Sequence, residues 1–324
     1  MKILITNEIP EAGMSYLHNA GVPFDVYKGE QPLTPTQLIE SSQVYDALFI
    51  AASDKLDRHF FESCRHLKAI ALMSVGFDHV DLAAATEQGI PVSNTPDVLN
   101  KATSDIAFLL MLSVSRDAFN RHKSIEDGDW KGFGSNRNLG IELYGKTLGV
   151  FGLGRIGIEM ALKAKSAYQM KIIYHNRKPN LEAEELVDAH YVSFEELLSQ
   201  SDVISVHANL TDQTKETFNA TAFEKMKSSS IFINTARGGI HNEQDLIQAL
   251  QDQTIWGAGL DVTNPEPMAS DSPLLRMPHV CVLPHLGSAT VETRNAMATL
   301  AAKNLVAALN GEQMPQVINK EVYR

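Results

Sequence analysis

Three short segments set an arginine, a glutamate and a histidine where acid recognition and proton transfer would need them. Asn234-Thr235-Ala236-Arg237-Gly238-Gly239 places Arg237 directly behind an apolar run, among residues small enough to leave room for a ligand. Gly259–Pro267 (GLDVTNPEP) carries Asp261 and Glu266 in a proline-rich turn, and Leu283–Ser288 (LPHLGS) sets His285 between a proline and a small-residue turn. A guanidinium binds a carboxylate through paired hydrogen bonds. An imidazole moves a proton near neutral pH, and a carboxylate on its other nitrogen fixes the tautomer. Singly, each residue has a plain explanation: a surface arginine, a turn acid, a histidine with a structural hydrogen bond. Together, each closing an apolar run in the same half of the chain, they describe a site for an acid substrate beside a proton donor.

A fourth segment implies the redox partner. Behind the apolar run TLGVF stands Gly152-Leu153-Gly154-Arg155-Ile156-Gly157, with a helical pattern after it. The first glycine permits a tight turn, the second lets the backbone approach a pyrophosphate, and the third lets helix pack closely on strand. The helix N-terminus then favours the anion. The spacing alone is weak; strand before, helix after and a further strand ending near 175 make it a dinucleotide site. An NAD site wants an acid at the end of that further strand, on the ribose hydroxyls. The chain reads Tyr174-His175-Asn176-Arg177-Lys178, with no acid. Arg177 and Lys178 are either a clamp for a 2′-phosphate or two solvated charges. The expectation taken is NADP(H) preferred, NAD(H) possible, with Asn176 bonding a ribose hydroxyl.

Short apolar runs alternate with helix-length amphipathic stretches, the pattern of βαβ units and parallel sheets. Strands are expected at Lys2–Thr6, Ala47–Ile50 and Lys68–Met73, with helices at Thr36–Ser41 and Asp57–Ser63. A second, larger series follows. Its strands are expected at Thr147–Phe151, Lys171–Tyr174, Val203–Val206, Ser230–Asn234, Trp256–Leu260 and Val280–Leu283. Its helices fit Arg155–Tyr168, Phe194–Gln200, Ala222–Met226 and Asn242–Leu250. Two long helical stretches, Leu99–Phe119 and Ser288–Leu309, bracket this series. The expected organisation is therefore an α/β protein in which a dinucleotide-binding domain (100–286) is inserted into a substrate-binding domain (1–99 and 287–324), with a cleft between them. Residues 128–145 lack periodicity and read as a loop or an intersubunit segment.

The chain has 324 residues, 44% hydrophobic and 21% charged, which suits about two domains and excludes general disorder. Its formal net charge of −11 argues against nucleic acid or an anionic membrane as partner. Two cysteines, Cys64 and Cys281, cannot build a disulfide framework, and no apolar run reaches 18 residues. No metal site is expected, and the compartment expected is the cytoplasm.

Read together, SVGFDHVDL (74–82), NTPDVLNKATSD (94–105), GKTLGVFGLGRIG (145–157), NTARGG (234–239), GLDVTNPEP (259–267) and LPHLGSAT (283–290) resemble the D-isomer-specific 2-hydroxyacid dehydrogenases, in their glyoxylate/hydroxypyruvate reductase and glycerate dehydrogenase branch. The resemblance runs nearly end to end. It implies a Rossmann-type doubly wound sheet inserted into a smaller flavodoxin-like α/β domain. Arg237, Glu266 and His285 match the catalytic set, with Arg237 and His285 also on the substrate. Val75 and Gly76 match the loop whose backbone N–H groups hold the substrate carboxylate. The resemblance places Thr103, Gly152, Gly154, Arg155, Ile156, Gly157, Ala208, Asn209, Thr214, Thr235, Ala236, Arg237, Asp261, His285, Gly287 and Ser288 along the cofactor, beside Asn176, Arg177 and Lys178. Asn209 departs from the family, which commonly has proline there. The implied reaction is hydride transfer between a nicotinamide and a small 2-oxo acid in a homodimer joined through the cofactor domain. Trp130 or Phe133 then stands where a loop aromatic closes the neighbouring subunit's site. The rival reading is a dinucleotide-sensing binding protein of the same fold with little or no turnover.

Overall fold

The computed structural model describes residues 1–52 and 54–324. The chain divides into two compact units, Met1–Leu99 with Ala289–Arg324, and Asn100–Ser288. The return to the first unit thus falls two residues beyond the 286/287 expected.

The first unit opens with β1 (Ile3–Ile5), α1 (Glu11–Asn19), β2 (Phe24–Val26), α2 (Pro35–Ser42), β3 (Ala47–Ile50), α3 (Arg58–Ser63), β4 (Ala69–Leu72), α4 (Leu82–Glu87) and β5 (Val92–Ser93). Local chemistry starts its helices. Thr34 and Gln37 form a reciprocal cap with Pro35 as the first helical residue of α2. The Asp57 and Asp81 carboxylates accept from the N–H groups of Phe60 and Ala84. The strands pair in parallel in the order β2-β1-β3-β4-β5, the flavodoxin-like order. Leu48, Ile70, Leu72, Phe60 and Phe61 lie in one buried cluster.

The second unit contains α5 (Asn100–Ser115), α6 (Ala118–Glu126), β6 (Thr147–Phe151), α7 (Arg155–Tyr168), β7 (Lys171–His175), α8 (Leu181–Val187), β8 (Ala189–Tyr191), α9 (Phe194–Gln200), β9 (Val203–Val206), α10 (Ala220–Glu224), β10 (Ile231–Asn234), α11 (Glu243–Gln251), β11 (Gly257–Leu260) and β12 (Val280–Val282). Its seven strands are parallel in the order β12-β11-β10-β9-β6-β7-β8. Counted from β6, this is the Rossmann order 3-2-1-4-5-6 with one more strand at the edge. Alternate residues feed the two faces: Ile231 and Ile233 join Leu110, Val114 and Met160, while Phe232 joins Phe218, Phe223 and Leu246. The order reverses between β6 and β9, where the carboxyl ends of the strands form a ligand crevice.

From Thr290, whose hydroxyl accepts from Thr293 N–H, α12 (Val291–Leu309) returns to the first unit and packs on α1, β3 and β4. It begins three residues later than the pattern from Ser288 suggests. The other long stretch, expected as one helix over Leu99–Phe119, is two. Asp117 lies between α5 and α6 at φ +53° and is 4% exposed. Its carboxylate accepts from Asn120 Nδ2 and His279 N–H, both at 2.8 Å, and pairs with Arg121 at 2.7 Å. A partner 162 positions away fixes this break, so apolar periodicity runs across it unmarked.

Candidate active site

Glu266 and His285 lie in the loops that follow β11 and β12. His285 Nδ1 stands 2.5 Å from Glu266 Oε1, a carboxylate–imidazole pair with side-chain exposures of 41% and 46%. Burial pushes the Glu266 carboxyl up, but the hydrogen bond and charge of His285, Thr263 N–H and the charge of Arg237 pull it below its ordinary value. Glu266 is therefore an anion at neutral pH, and His285 Nδ1 is the donor. Asp261, 1% exposed, carries the turn behind His285: its two oxygens accept from Leu286 N–H and Gly287 N–H, both at 2.7 Å. Burial holds this carboxyl above its ordinary value despite both bonds. Its carbonyl accepts from His285 N–H at 3.0 Å, and His285 itself adopts φ +53°.

Arg237 is half-buried behind β10, with Nη1 donating to the Ala236 carbonyl at 2.8 Å. Gly238 follows it because the chain passes against the Glu266 loop: a Cβ there would lie 2.0 Å from the Thr263 carbonyl oxygen. Thr263 N–H in turn donates to Glu266 at 3.4 Å. The strand-end residues Arg237, Glu266 and His285 thus belong to one assembly within the second unit.

The glycine-rich turn has the shape of a dinucleotide cradle. Gly152 adopts φ +100°, and a Cβ on it would lie 2.5 Å from Ala208 N, so both torsion and space demand glycine. A Cβ on Gly154 would meet no protein atom within 4 Å, leaving the backbone at the start of α7 open to an anion. Arg155 and Ile156 form the first turn of that helix, and Gly157 packs against the Gly152 carbonyl. The hydroxyl of Thr235 is buried with no hydrogen-bond partner among the described residues. Thr103 on α5 is buried against Gly287, whose missing Cβ would fall 3.2 Å from Thr103 Cγ2. Thr214 Oγ1 donates to the Asn209 carbonyl at 2.6 Å, shaping the loop that begins at Ala208. These features fit a nicotinamide dinucleotide.

At the end of β7, the Asn176 Oδ1 accepts from Leu153 N–H at 2.7 Å, inside the glycine-rich turn. Asn180 Nδ2 donates to the Leu153 carbonyl at 3.1 Å, and Tyr191 OH to the Asn176 carbonyl at 3.1 Å. The loop that carries Arg177 and Lys178 is thereby tied to the turn, with both cations exposed. Val75 and Gly76 lie in the first unit, after β4. Asn94 Nδ2 holds the Val75 carbonyl at 2.9 Å, and Ser74 Oγ holds that of Gly76 at 2.7 Å. Asn94, Asn180 and Thr263 were not expected as supporting residues; each acts through the backbone, a role that residue type does not advertise.

Residues 108–287 match the family model described as the D-isomer specific 2-hydroxyacid dehydrogenase, NAD binding domain. Glyoxylate reductase of Thermococcus litoralis is 41% identical, covering 99% of this chain and 97% of its own. The chain belongs to the D-isomer-specific 2-hydroxyacid dehydrogenases. Among solved structures, a glyoxylate reductase from Paecilomyes thermophila superposes with TM-score 0.88 at 33% identity, covering 99% of each chain. An NADPH-dependent glyoxylate/hydroxypyruvate reductase from Sinorhizobium meliloti, solved with NADP and malonate, gives 0.86 at 30% identity, covering 100% of this chain and 98% of that one. This dehydrogenase is thus an oxidoreductase that acts on small 2-oxo and 2-hydroxy acids with a nicotinamide dinucleotide. Among the described residues no helix is long and apolar enough to cross a membrane.

Proposed function

We propose that this dehydrogenase reduces a 2-oxo acid of the glyoxylate/hydroxypyruvate type to the D-2-hydroxy acid, with NADPH preferred and His285 as the acid–base group. The observation that carries the reading is the 2.5 Å pair of His285 Nδ1 with the Glu266 carboxylate. Glu266 accepts from Nδ1–H and fixes the ring, which turns Nε2 to the substrate oxygen. Arg237 binds the carboxylate and polarises the carbonyl. Asp261 keeps the His285 turn in place through Leu286 and Gly287. The bound nicotinamide supplies the hydride to C2 in reduction and receives it in oxidation. In oxidation His285 starts neutral and takes the hydroxyl proton.

The preference for NADPH rests on Arg177 and Lys178, exposed on a tethered loop with no acid beside them. A guanidinium grips a phosphate through paired hydrogen bonds. Losing such a contact costs about 1.5–3 kcal/mol, roughly ten- to hundredfold in affinity. Initial rates over a panel of 2-oxo acids with NADPH and NADH test the whole reading. A higher kcat/KM with NADPH on glyoxylate or hydroxypyruvate, lost in Arg177→Ala, supports it. Parity or better with NADH removes the preference, and binding of dinucleotide without turnover of any 2-oxo acid removes the activity.

The reading includes a homodimer joined through the second unit. Phe119, Ile125, Trp130, Phe133, Leu139 and Tyr144 are all exposed, Phe133 by 96%, within one stretch that has no helix or strand from 128 to 145. Sedimentation at the mass of one chain would remove it. Buried, unpaired Cys64 and Cys281 suit the reducing cytoplasm as its compartment.

A further inference from the structure

Behind Arg237 lies a polar cluster that takes no direct part in the chemistry above. Asn234, the last residue of β10, is fully buried, and so is His241. The Asn234 side chain closes the loop on itself. Its Oδ1 accepts from Ala236 N–H at 3.0 Å, and its Nδ2 donates to the Arg237 carbonyl at 2.9 Å and to His241 Nδ1 at 3.0 Å. An amide nitrogen only donates, so His241 Nδ1 must accept, and the ring proton then sits on Nε2. Burial holds this imidazole neutral by lowering its pKa to about 4. Nε2 is buried without a hydrogen-bond partner among the described residues. A buried polar ring with one unpaired donor costs stability that an apolar side chain of similar size would not. What the histidine adds is the second acceptor that saturates the Asn234 amide, and with it the placement of Ala236 and Arg237.

We infer that His241 and Asn234 are positioning residues: they set the backbone of Arg237, and so the aim of its guanidinium at the substrate carboxylate, without touching substrate or cofactor. The inference rests on the reading of Arg237 as the carboxylate's partner. It separates two effects that a merely structural role would join. For stability the bond from Asn234 is set against the unpaired Nε2–H, so His241 contributes little, whereas substrate recognition depends on it. An asparagine at this position places its Oδ1 the same number of bonds from Cα as histidine places Nδ1, so it can restore the acceptor.

The test compares His241→Leu, His241→Asn and Asn234→Asp by thermal midpoint, by KM and kcat for glyoxylate and hydroxypyruvate, and by NADPH affinity in fluorescence titration. His241→Leu, which trades the unpaired Nε2–H for an unpaired Asn234 Nδ2–H, is expected to hold the midpoint near that of the wild type while raising KM on the order of tenfold, with NADPH affinity within about twofold. His241→Asn is expected to recover most of the KM. Asn234→Asp, which keeps the acceptor for Ala236 but turns an oxygen toward the Arg237 carbonyl and Nδ1, is expected to lose more than His241→Leu. A lowered midpoint with unchanged KM in His241→Leu, or no recovery in His241→Asn, would overturn the inference. Where His241→Leu fails to fold, the relative KM of the other two variants decides it. The control is Arg237→Ala: if that variant keeps its KM, the assignment of Arg237 to the substrate fails, whereas a raised KM there with unaffected His241 variants defeats the positioning alone.

Discussion

Glu266 and His285 act as one group, because a carboxylate held below its ordinary pKa keeps its charge on the imidazole across the neutral range. Glu266→Gln retains an acceptor for Nδ1–H but removes the charge. The expected result is a fall in kcat for reduction of about ten- to hundredfold, less than for loss of the acid–base group itself, with His285→Ala lower still at about 10²–10⁴. An unchanged kcat for reduction in Glu266→Gln would detach Glu266 from the acid–base step. That Arg237, Glu266 and His285 come together was legible in the sequence, since each follows an apolar run and the structure sets them in the loops after β10, β11 and β12. Not legible was the bond by which Asn176 Oδ1 accepts from Leu153 N–H, because it links residues 23 positions apart and residue type does not advertise it.

The elements that position the site owe their ends to contacts of very different range. The β6–turn–α7 unit is local: a positive-φ glycine, a helix start and a strand within a few residues, which is why its pattern could be read directly. Gly152 and Gly154 should respond differently to the same substitution. Gly152→Ala places a methyl on Ala208 N at φ +100° and is expected to lower the thermal midpoint and weaken NADPH together. Gly154→Ala meets no protein atom within 4 Å. It should fold with a near-normal midpoint yet lose NADPH affinity on the order of tenfold or more, read by fluorescence titration. Equal NADPH affinity in Gly154→Ala would mean that the pyrophosphate does not approach this turn. The break between α5 and α6 is the opposite case. Asp117 holds the His279 backbone N–H from far along the chain, so its left-handed conformation has no signature in the surrounding residues. The three-residue strands β2 and β8 were missed for a related reason: β2 is only half-buried, and two of the three residues of β8 are exposed, so neither presents an apolar run.

At the scale of the whole molecule, the alternation of apolar runs and helices led to two parallel α/β units, and the motifs placed the cofactor chemistry in the second. Both strand orders are topological facts that no local pattern contains: periodicity can locate β6 and β9, but not that they lie side by side with the order reversing between them. The parallel strands set the loops after β6, β9, β10, β11 and β12 at one edge of this sheet, and the reaction proposed for it makes opposite demands on a single ionisation. Reduction needs His285 protonated and oxidation needs it neutral. The decisive measurement is kcat/KM against pH in both directions, NADPH with glyoxylate and NADP with the D-2-hydroxy acid, under one buffer series at constant ionic strength. The expected result is two opposed profiles, reduction falling and oxidation rising with pH about one shared midpoint that His285→Ala abolishes. Profiles that run parallel, or an opposed pair that survives in His285→Ala, would contradict the assignment of His285 as the acid and base.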